Sequence, residues 1–182
     1  MNSNLKSTLE KSNAGLLCRN SIRFAVMNQH FEIKELMDLA TDLSYKNHHK
    51  AIWIVEQIAI CDFWFVQSYL PMIVEKASAY KNTSAVRGVS KILYLCSITT
   101  EIEWSELEKT KIIETALDWL IGTEKVACKA NAIKILTHFA AEFPDLVNPF
   151  LELLEKDFAY QTPGFQAASR NALRILKKAQ II

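Results

Sequence analysis

The side chains that could bind a metal ion or act as nucleophiles are scattered along this sequence. The four cysteines are Cys18, Cys61, Cys96 and Cys128, and the four histidines are His30, His48, His49 and His138. No two cysteines are closer than 32 residues, so no local zinc or redox spacing is present. His48 and His49 are adjacent, and on a helix they diverge by about 100°. The sequence therefore predicts no metal site, no cofactor, and reduced cysteines that act as small apolar side chains.

Motifs for phosphate binding and hydrolysis are also missing. The sequence contains no P-loop, GxSxG, HExxH or GxGxxG pattern. Its densest run of carboxylates is Glu101, Glu103, Glu106 and Glu108. This run lies at the start of a predicted helix, where negative charges interact favourably with the helix dipole. A catalytic triad built from distant residues stays open, because such triads are recognised only in space.

Length and composition indicate one helical globular domain over residues 1–182. Half of the residues are apolar, 23% are charged, and glycine and proline number only four each. Such scarcity of turn residues disfavours an all-β fold. The polar segment Met1–Ser12 lacks the apolar core of a signal peptide, and no apolar run reaches the ~18 residues of a membrane span. We therefore expect a cytoplasmic protein with no membrane partner.

Internal repetition is the clearest signal in the chain. Four segments align as related helices: Ala51–Cys61, Ala85–Cys96, Cys128–Phe139 and Ala168–Ala179. With the first residue of each as position 0, positions 0, 4, 7 and 8 are apolar in all four. This spacing makes one stripe on an α-helix, which predicts a buried face. The stripe residues are Ala51, Val55, Ile58, Ala59, Ala85, Val89, Ile92, Leu93, Cys128, Ala132, Ile135, Leu136, Ala168, Ala172, Ile175 and Leu176.

A second set of helices, each beginning with an aromatic residue, alternates with the first. These are Phe65–Ala79, Trp104–Ile121 and Phe143–Phe158, whose first residues are 39 apart. Upstream, Ala14–Asn28 and Phe31–Leu43 predict one more pair, and Met1–Ser12 is either disordered or a cap helix. A two-helix unit of roughly 40 residues predicts an all-α, α-α superhelix of the HEAT or armadillo kind.

Several residues mark the ends of these helices. Ser105 and Glu108 have the spacing of a capping box, and Pro163 occupies a first helical position. Pro71 and Pro149 fall at matching places in two second-set helices, where each could kink a helix or start a new one.

The third aligned segment resembles the second helix of a HEAT repeat, because Cys128-Lys129, Ala132 and Leu136 stand at the family's fixed offsets. The run 143–151 looks like the family's first helix, and the resemblance covers about Lys46 to Lys178. It implies a curved stack whose second helices line a concave face. The chain is also similar to small bacterial HEAT-like proteins labelled adenylosuccinate lyase. The catalytic loop of that enzyme superfamily is absent here, because Met72 follows Pro71 and no glycine opens such a loop.

Charge is segregated between the two sets of helices. The segments 85–96, 125–142 and 165–178 carry nine basic residues against one acidic residue. The segments 101–121 and 143–158 carry ten acidic residues against three basic ones. One interpretation is that the basic residues pair with these acidic helices. The other is that the basic residues form a binding surface for phosphates or acidic protein segments.

The register of the aligned helices selects the candidate binding residues. Positions 2, 6 and 10 lie beside the apolar stripe and share one helix face. The residues predicted to line that face are Trp53, Gln57, Arg87, Lys91, Lys134, His138, Arg170 and Arg174. We call them the predicted ladder.

Three functions fit these features. A non-enzymatic scaffold that holds a protein partner is favoured, because helical repeats offer extended binding surfaces. Nucleic-acid binding, as in HEAT-like alkylation-repair proteins, is the alternative to which the predicted ladder points. An enzyme of the adenylosuccinate lyase type is the third hypothesis, against which the missing loop counts.

Overall fold

The computed structural model describes residues 4–156 and 158–182. Residues 1–3 of the predicted cap segment, and Asp157 within the predicted helix Phe143–Phe158, lie outside that description. Helices account for 76% of the described residues, which contain no β-strand. The predicted all-α class is therefore confirmed. No helix in the described ranges is both long and apolar enough to cross a bilayer.

The chain divides into two compact units. Unit 1 is Met1–Leu95 and unit 2 is Cys96–Ile182. The helices of unit 1 are α1 (Leu5–Lys11), α2 (Leu16–Met27), α3 (Ile33–Thr41), α4 (His48–Cys61), α5 (Leu70–Lys76) and most of α6 (Thr83–Ile98). Those of unit 2 are α7 (Glu106–Ile121), α8 (Val126–Phe139), α9 (Val147–Glu155) and α10 (Pro163–Lys178). In unit 1, α4 packs against α2 and α3, and in unit 2, α8 packs against α7 and α10.

The four aligned segments are helices α4, α6, α8 and α10, and their apolar stripe is buried with two departures. Ile92, Ile135 and Leu136 are fully inaccessible, as predicted. Ala168 is half-buried, and the prediction for Ile175 is wrong because its side chain is 41% exposed. The buried residues of α10 are Phe165, Ser169, Ala172 and Leu176. This narrower stripe fits contact with one neighbouring helix, and Ile175 lies beside it.

The second set is less continuous than predicted. The segment Phe65–Ala79 is interrupted, because short 3₁₀ helices flank α5 on both sides. Pro71 lies in the first turn of α5, and Pro149 lies in the first turn of α9. Proline lacks the amide proton that a helix interior needs, and the first turn does not use it. Both prolines therefore start a new helix rather than kink an existing one.

Unit 1 begins with a helix whose two ends are capped from different places. The side chain of Asn4 accepts a hydrogen bond from the Ser7 amide at the start of the helix. At the other end, Lys50 Nζ donates to the carbonyl oxygens of Leu9, Glu10 and Ser12 at 3.1, 2.8 and 2.7 Å. The last carbonyls of a helix have no partner within it. A side chain from α4 thus supplies the C-terminal cap of α1.

The C-terminal end of α3 is capped in the same manner. Lys76 Nζ donates to the Thr41 carbonyl and Tyr80 Oη donates to the Ala40 carbonyl, both at 2.9 Å. Tyr80 is almost fully buried, and burial raises the pKa of its phenol well above the ordinary value. Its hydroxyl therefore stays protonated and remains a donor.

The predicted helix signals of unit 2 are present. Ser105 and Glu108 form the capping box at the start of α7. Thr162 caps α10, with Pro163 at its first position. Trp104 donates its indole N–H to the Cys96 carbonyl at 3.1 Å, and burial raises the pKa of the Cys96 thiol.

Two side chains near the end of α4 are exposed. Cys96 and Cys128 are buried as expected of small apolar side chains, whereas Cys61 is exposed at the end of α4 and its Sγ accepts a hydrogen bond from Arg23. The indole of Trp64 is 52% exposed. Both residues lie where α4 gives way to a 3₁₀ helix at Phe63–Phe65, so helical spacing no longer predicts which side is buried.

Candidate functional site

The predicted ladder is divided between the two units, with four residues in each. In unit 1, Trp53 and Gln57 lie on α4, and Arg87 and Lys91 lie on α6. All four are half-buried. The indole of Trp53 packs edge-on against the ring of His49, with 5.1 Å between centroids. Residues four apart share a helix face, so Trp53 and Gln57 follow His49 along one side of α4.

Arg87 pairs with an acidic residue of α4, an aligned helix, and not with one of the second-set helices. Its guanidinium donates two hydrogen bonds to the carboxylate of Glu56, at 3.1 and 2.8 Å. Glu56 is 6% exposed, so its charge needs a partner. Arg87 and Glu56 together carry no net charge. For Arg87, the interpretation that basic residues pair with acidic ones fits this geometry better than the binding interpretation.

A glycine allows the two helices that carry this ion pair to approach closely. A Cβ at Gly88 would lie 2.6 Å from Ile52 Cγ2 and 3.4 Å from a carboxylate oxygen of Glu56. A contact of 2.6 Å is shorter than real Cβ atoms make, so a larger residue would require the Ile52 side chain or one of the helices to shift. The glycine therefore allows the close approach of α6 to α4 beside the Arg87–Glu56 ion pair.

Lys91 and Gln57 complete the unit 1 part of the ladder. The ammonium of Lys91 lies 4.8 Å from the centroid of the Tyr94 ring, which is a cation–π distance. The Oε1 atom of Gln57 is buried and accepts no hydrogen bond from the described residues. The unit 1 part of the ladder thus consists of an aromatic ring, an amide, Lys91 and the Arg87–Glu56 ion pair.

In unit 2, the remaining four ladder residues lie on the packed helices α8 and α10. Lys134 and His138 lie four residues apart on α8, and Arg170 and Arg174 lie four residues apart on α10. All four are exposed. Arg174 Nη2 donates to Asn171 Oδ1 at 2.8 Å, and the guanidinium of Arg170 lies 5.9 Å from the Phe158 ring centroid. Each helix thus presents two ladder residues to solvent.

The charged residues of α8 and α10 all have the same sign. Helix α8 contains two lysines, α10 contains four basic residues, and neither contains an acidic one. The basic residues of α10 are Arg170, Arg174, Lys177 and Lys178, all of them exposed. None of these four forms an ion pair with a carboxylate of residues 4–156 or 158–182. Ile175, the stripe residue that was wrongly predicted to be buried, adds an exposed apolar side chain directly after Arg174.

The acidic residue that follows α8 is occupied elsewhere. Lys109 of α7 donates to Glu142 and also to Glu106, the latter at 3.0 Å. These contacts raise the pKa of Lys109, first through Glu142 and then through Glu106. Glu142 and Glu106 therefore bind a lysine outside the predicted ladder. Neither carboxylate forms an ion pair with the exposed basic residues of α10.

Two histidines next to these surfaces make stability depend on pH. His138 is exposed as a residue, but the partial burial of its imidazole lowers its pKa below the ordinary 6.5, an effect that Glu142 opposes. Burial, and then the charge of His48, lowers the pKa of His49. Both groups have a lower pKa when folded, so the unfolded chain takes up protons first as pH falls. Their contribution to stability is therefore complete above pH 6.5 and is lost as pH falls through the folded pKa.

We accordingly expect the urea midpoint of unfolding to be lower at about pH 5.5 than at about pH 7.5. The variant His49→Asn/His138→Asn, which has neither imidazole, should show a smaller decrease. An equal decrease in the variant and the parent protein would assign the pH dependence to other groups.

The described residues contain no group of three or more His, Cys, Asp or Glu side chains that could hold a metal ion. No protein-family model, curated protein or solved structure matches the chain.

Proposed function

We propose that the protein is a non-enzymatic binding scaffold, a HEAT-like α-α superhelix in which α8 and α10 hold an acidic segment of a protein partner. The observation that carries this proposal is the group of exposed bases on α10 that lack ion pairs in the described chain. Helix α8, packed beside it, adds exposed Lys134 and His138. Basic residues held together on one surface attract an anionic partner.

The apolar side chain among these bases favours a protein over a simple polyanion. Ile175 is 41% exposed within a run of arginines and lysines. An acidic peptide that also carries an apolar side chain would bury Ile175 and place carboxylates against Arg170 and Arg174. Burial of apolar surface adds a contribution that salt does not screen.

Nucleic acid is the second candidate, and one residue favours it. Tyr160 is 92% exposed in the 3₁₀ helix at Phe158–Tyr160, and Arg170 lies over the Phe158 ring of that same helix. An exposed aromatic ring beside cations is a platform on which unpaired bases stack. Single-stranded DNA is therefore the competing ligand to test.

Fluorescence anisotropy at low salt, with a labelled peptide of alternating glutamate and leucine and with labelled single-stranded DNA, tests the proposal. The variant Arg170→Gln/Arg174→Gln should weaken peptide binding about tenfold, because each exposed ion pair contributes up to about 1 kcal/mol and 1.4 kcal/mol is a factor of ten. Its thermal melt should stay nearly unchanged.

Lys46→Gln/Lys81→Gln is the matched control, because it removes two exposed charges of unit 1. If the control variant weakened peptide binding equally, the binding would depend only on overall charge, which would contradict the proposal. Tighter binding of DNA than of peptide, with the same dependence on Arg170 and Arg174, would favour the second candidate.

A further inference from the structure

A small cavity lies in unit 2 at the N-terminal ends of α8 and α10, apart from the exposed arginines. Its volume is about 190 Å³. Three apolar side chains form part of its wall: Leu120 of α7, Leu153 of α9 and Phe165 of α10. Among the described residues, its polar lining consists of Lys129, Lys156 and Gln161, and none of those that line it is acidic. The cavity therefore combines an apolar body with two cations.

The segment 158–162 beside this cavity is hydrogen-bonded to α10. The side-chain amide of Gln166 donates to the carbonyl oxygens of Phe158 and Gln161, each at 3.1 Å. Thr162 Oγ1 accepts a hydrogen bond from the Phe165 amide at the start of α10. One glutamine thus ties residues 158–161 to the helix that follows them. Holding Gln161 and Phe165 in place before a ligand binds lowers the entropic cost of binding.

The two lysines are not neutralised within the described chain. Neither Lys129 nor Lys156 forms an ion pair with a carboxylate of residues 4–156 or 158–182. Helix α8 starts at Val126 without a side-chain cap, so its first amides add partial positive charge nearby. An adjoining cavity of about 180 Å³ shares Lys129, Gln161 and Phe165 but is also lined by Glu124. An anion is therefore expected in the first cavity rather than in the second.

Size and lining limit the ligand. Sites for drug-sized molecules usually measure about 300–1,000 Å³, so this cavity is too small for a nucleotide. It is several times larger than the ~30 Å³ that a water molecule occupies in the liquid. Free phosphate would leave Leu120, Leu153 and Phe165 against water, whereas a short alkyl chain or a single ring would cover them. A carboxylate on such a group meets both the lysines and the apolar wall.

We infer that this cavity binds a small monocarboxylate, with its carboxylate between Lys129 and Lys156 and its apolar portion against Leu120, Leu153 and Phe165. A carboxylate accepts charge-assisted hydrogen bonds from ammonium groups, which are stronger than neutral ones. The Gln161 amide is a further donor for the same oxygens. This site is separate from Arg170 and Arg174, so it does not depend on the proposed function.

Titration of isotope-labelled protein with sodium hexanoate, followed by amide chemical shifts in NMR, tests the inference. Two control ligands each share one feature of hexanoate. Hexanol has an alkyl chain without the charge, and inorganic phosphate has negative charge without the alkyl chain. Hexanoate should shift the amides of Lys129, Gln161 and Phe165 and bind more tightly than either control ligand. Lys129→Gln, at a half-buried lysine, should weaken hexanoate binding about tenfold, the size expected when a partly buried charged hydrogen bond is lost. Lys156→Gln, at an exposed lysine, should weaken it up to about fivefold.

Lys178→Gln, which removes an exposed charge of α10 outside the cavity, is the matched control and should bind hexanoate normally. Arg170→Gln/Arg174→Gln should also bind hexanoate normally, which separates this test from that of the peptide. Thermal melts establish that each variant is folded. Equal affinity for hexanol or phosphate, shifts at amides elsewhere, or equal weakening by Lys178→Gln would overturn the inference.

Discussion

Replacing Lys50 by methionine should lower the free energy of unfolding by about 2–4 kcal/mol, because hydrogen bonds from a charged donor contribute about 1.5–3 kcal/mol each and these share one ammonium. Lys50 donates to three carbonyl oxygens at the end of α1. Methionine fills similar space but donates nothing, so those carbonyls lose their cap. Leu5 and Leu9 of α1 are fully buried, so loosening the helix also exposes apolar surface. Urea unfolding followed by circular dichroism measures the change.

Hydrogen exchange locates the same effect along the chain. Amides of residues 5–12 should exchange faster in Lys50→Met, while those of unit 2 should keep their rates. Lys46→Met is the control, since it removes an exposed lysine four residues earlier that makes none of these bonds. If Lys50→Met changed stability by less than about 0.5 kcal/mol, the usual range for surface substitutions, the capping role would be refuted.

Arg87→Met should lower the free energy of unfolding by about 2–4 kcal/mol, because it leaves a buried carboxylate without its counter-charge. Glu56 is 6% exposed and accepts both of its side-chain ion-pair hydrogen bonds from Arg87. The expected loss is below that for a fully buried pair, because the Arg87 side chain is 40% exposed and water can reach it. Thermal and urea unfolding of the purified variant measure the loss.

A double-mutant cycle separates the ion pair from simple loss of packing. Glu56→Leu/Arg87→Met removes both charges, so it should be more stable than Arg87→Met alone. Arg174→Met, at an exposed arginine of α10, should leave stability almost unchanged. A double variant as unstable as the single one would mean that Arg87 acts through packing and not through Glu56.

Most helices were predictable from sequence because burial and helical period are linked. The apolar positions of α4, α6 and α8 repeat every three or four residues, and each helix buries that stripe. The same rule failed at Ile175, because α10 buries only a narrow stripe. It failed again around Phe65, where three-residue 3₁₀ helices leave too short a segment for any period to be detected.

The candidate sites were predictable only in part. The four-residue spacing of Arg170 and Arg174 predicted that both lie on one exposed face of α10, because residues four apart share a helix face. The pairing of Arg87 with Glu56 spans 31 residues and has no signal in local spacing. The cavity at Lys129 and Lys156 was missed altogether, since its walls come from four helices. Polar contacts between distant residues depend on packing that no single periodicity encodes.

The caps of α1 and α3 have a consequence for the nascent chain on the ribosome. Lys50 follows the carbonyls it caps by 38–41 residues, and Tyr80 follows the Ala40 carbonyl by 40. At about 5–20 residues per second, each helix end would wait about 2–8 seconds for its donor to be translated. The carbonyls at the ends of α1 and α3 therefore stay without these donors until the later residues have been synthesised. A pause in translation just before Lys50 would delay the cap of α1, and a pause just before Lys76 would delay that of α3.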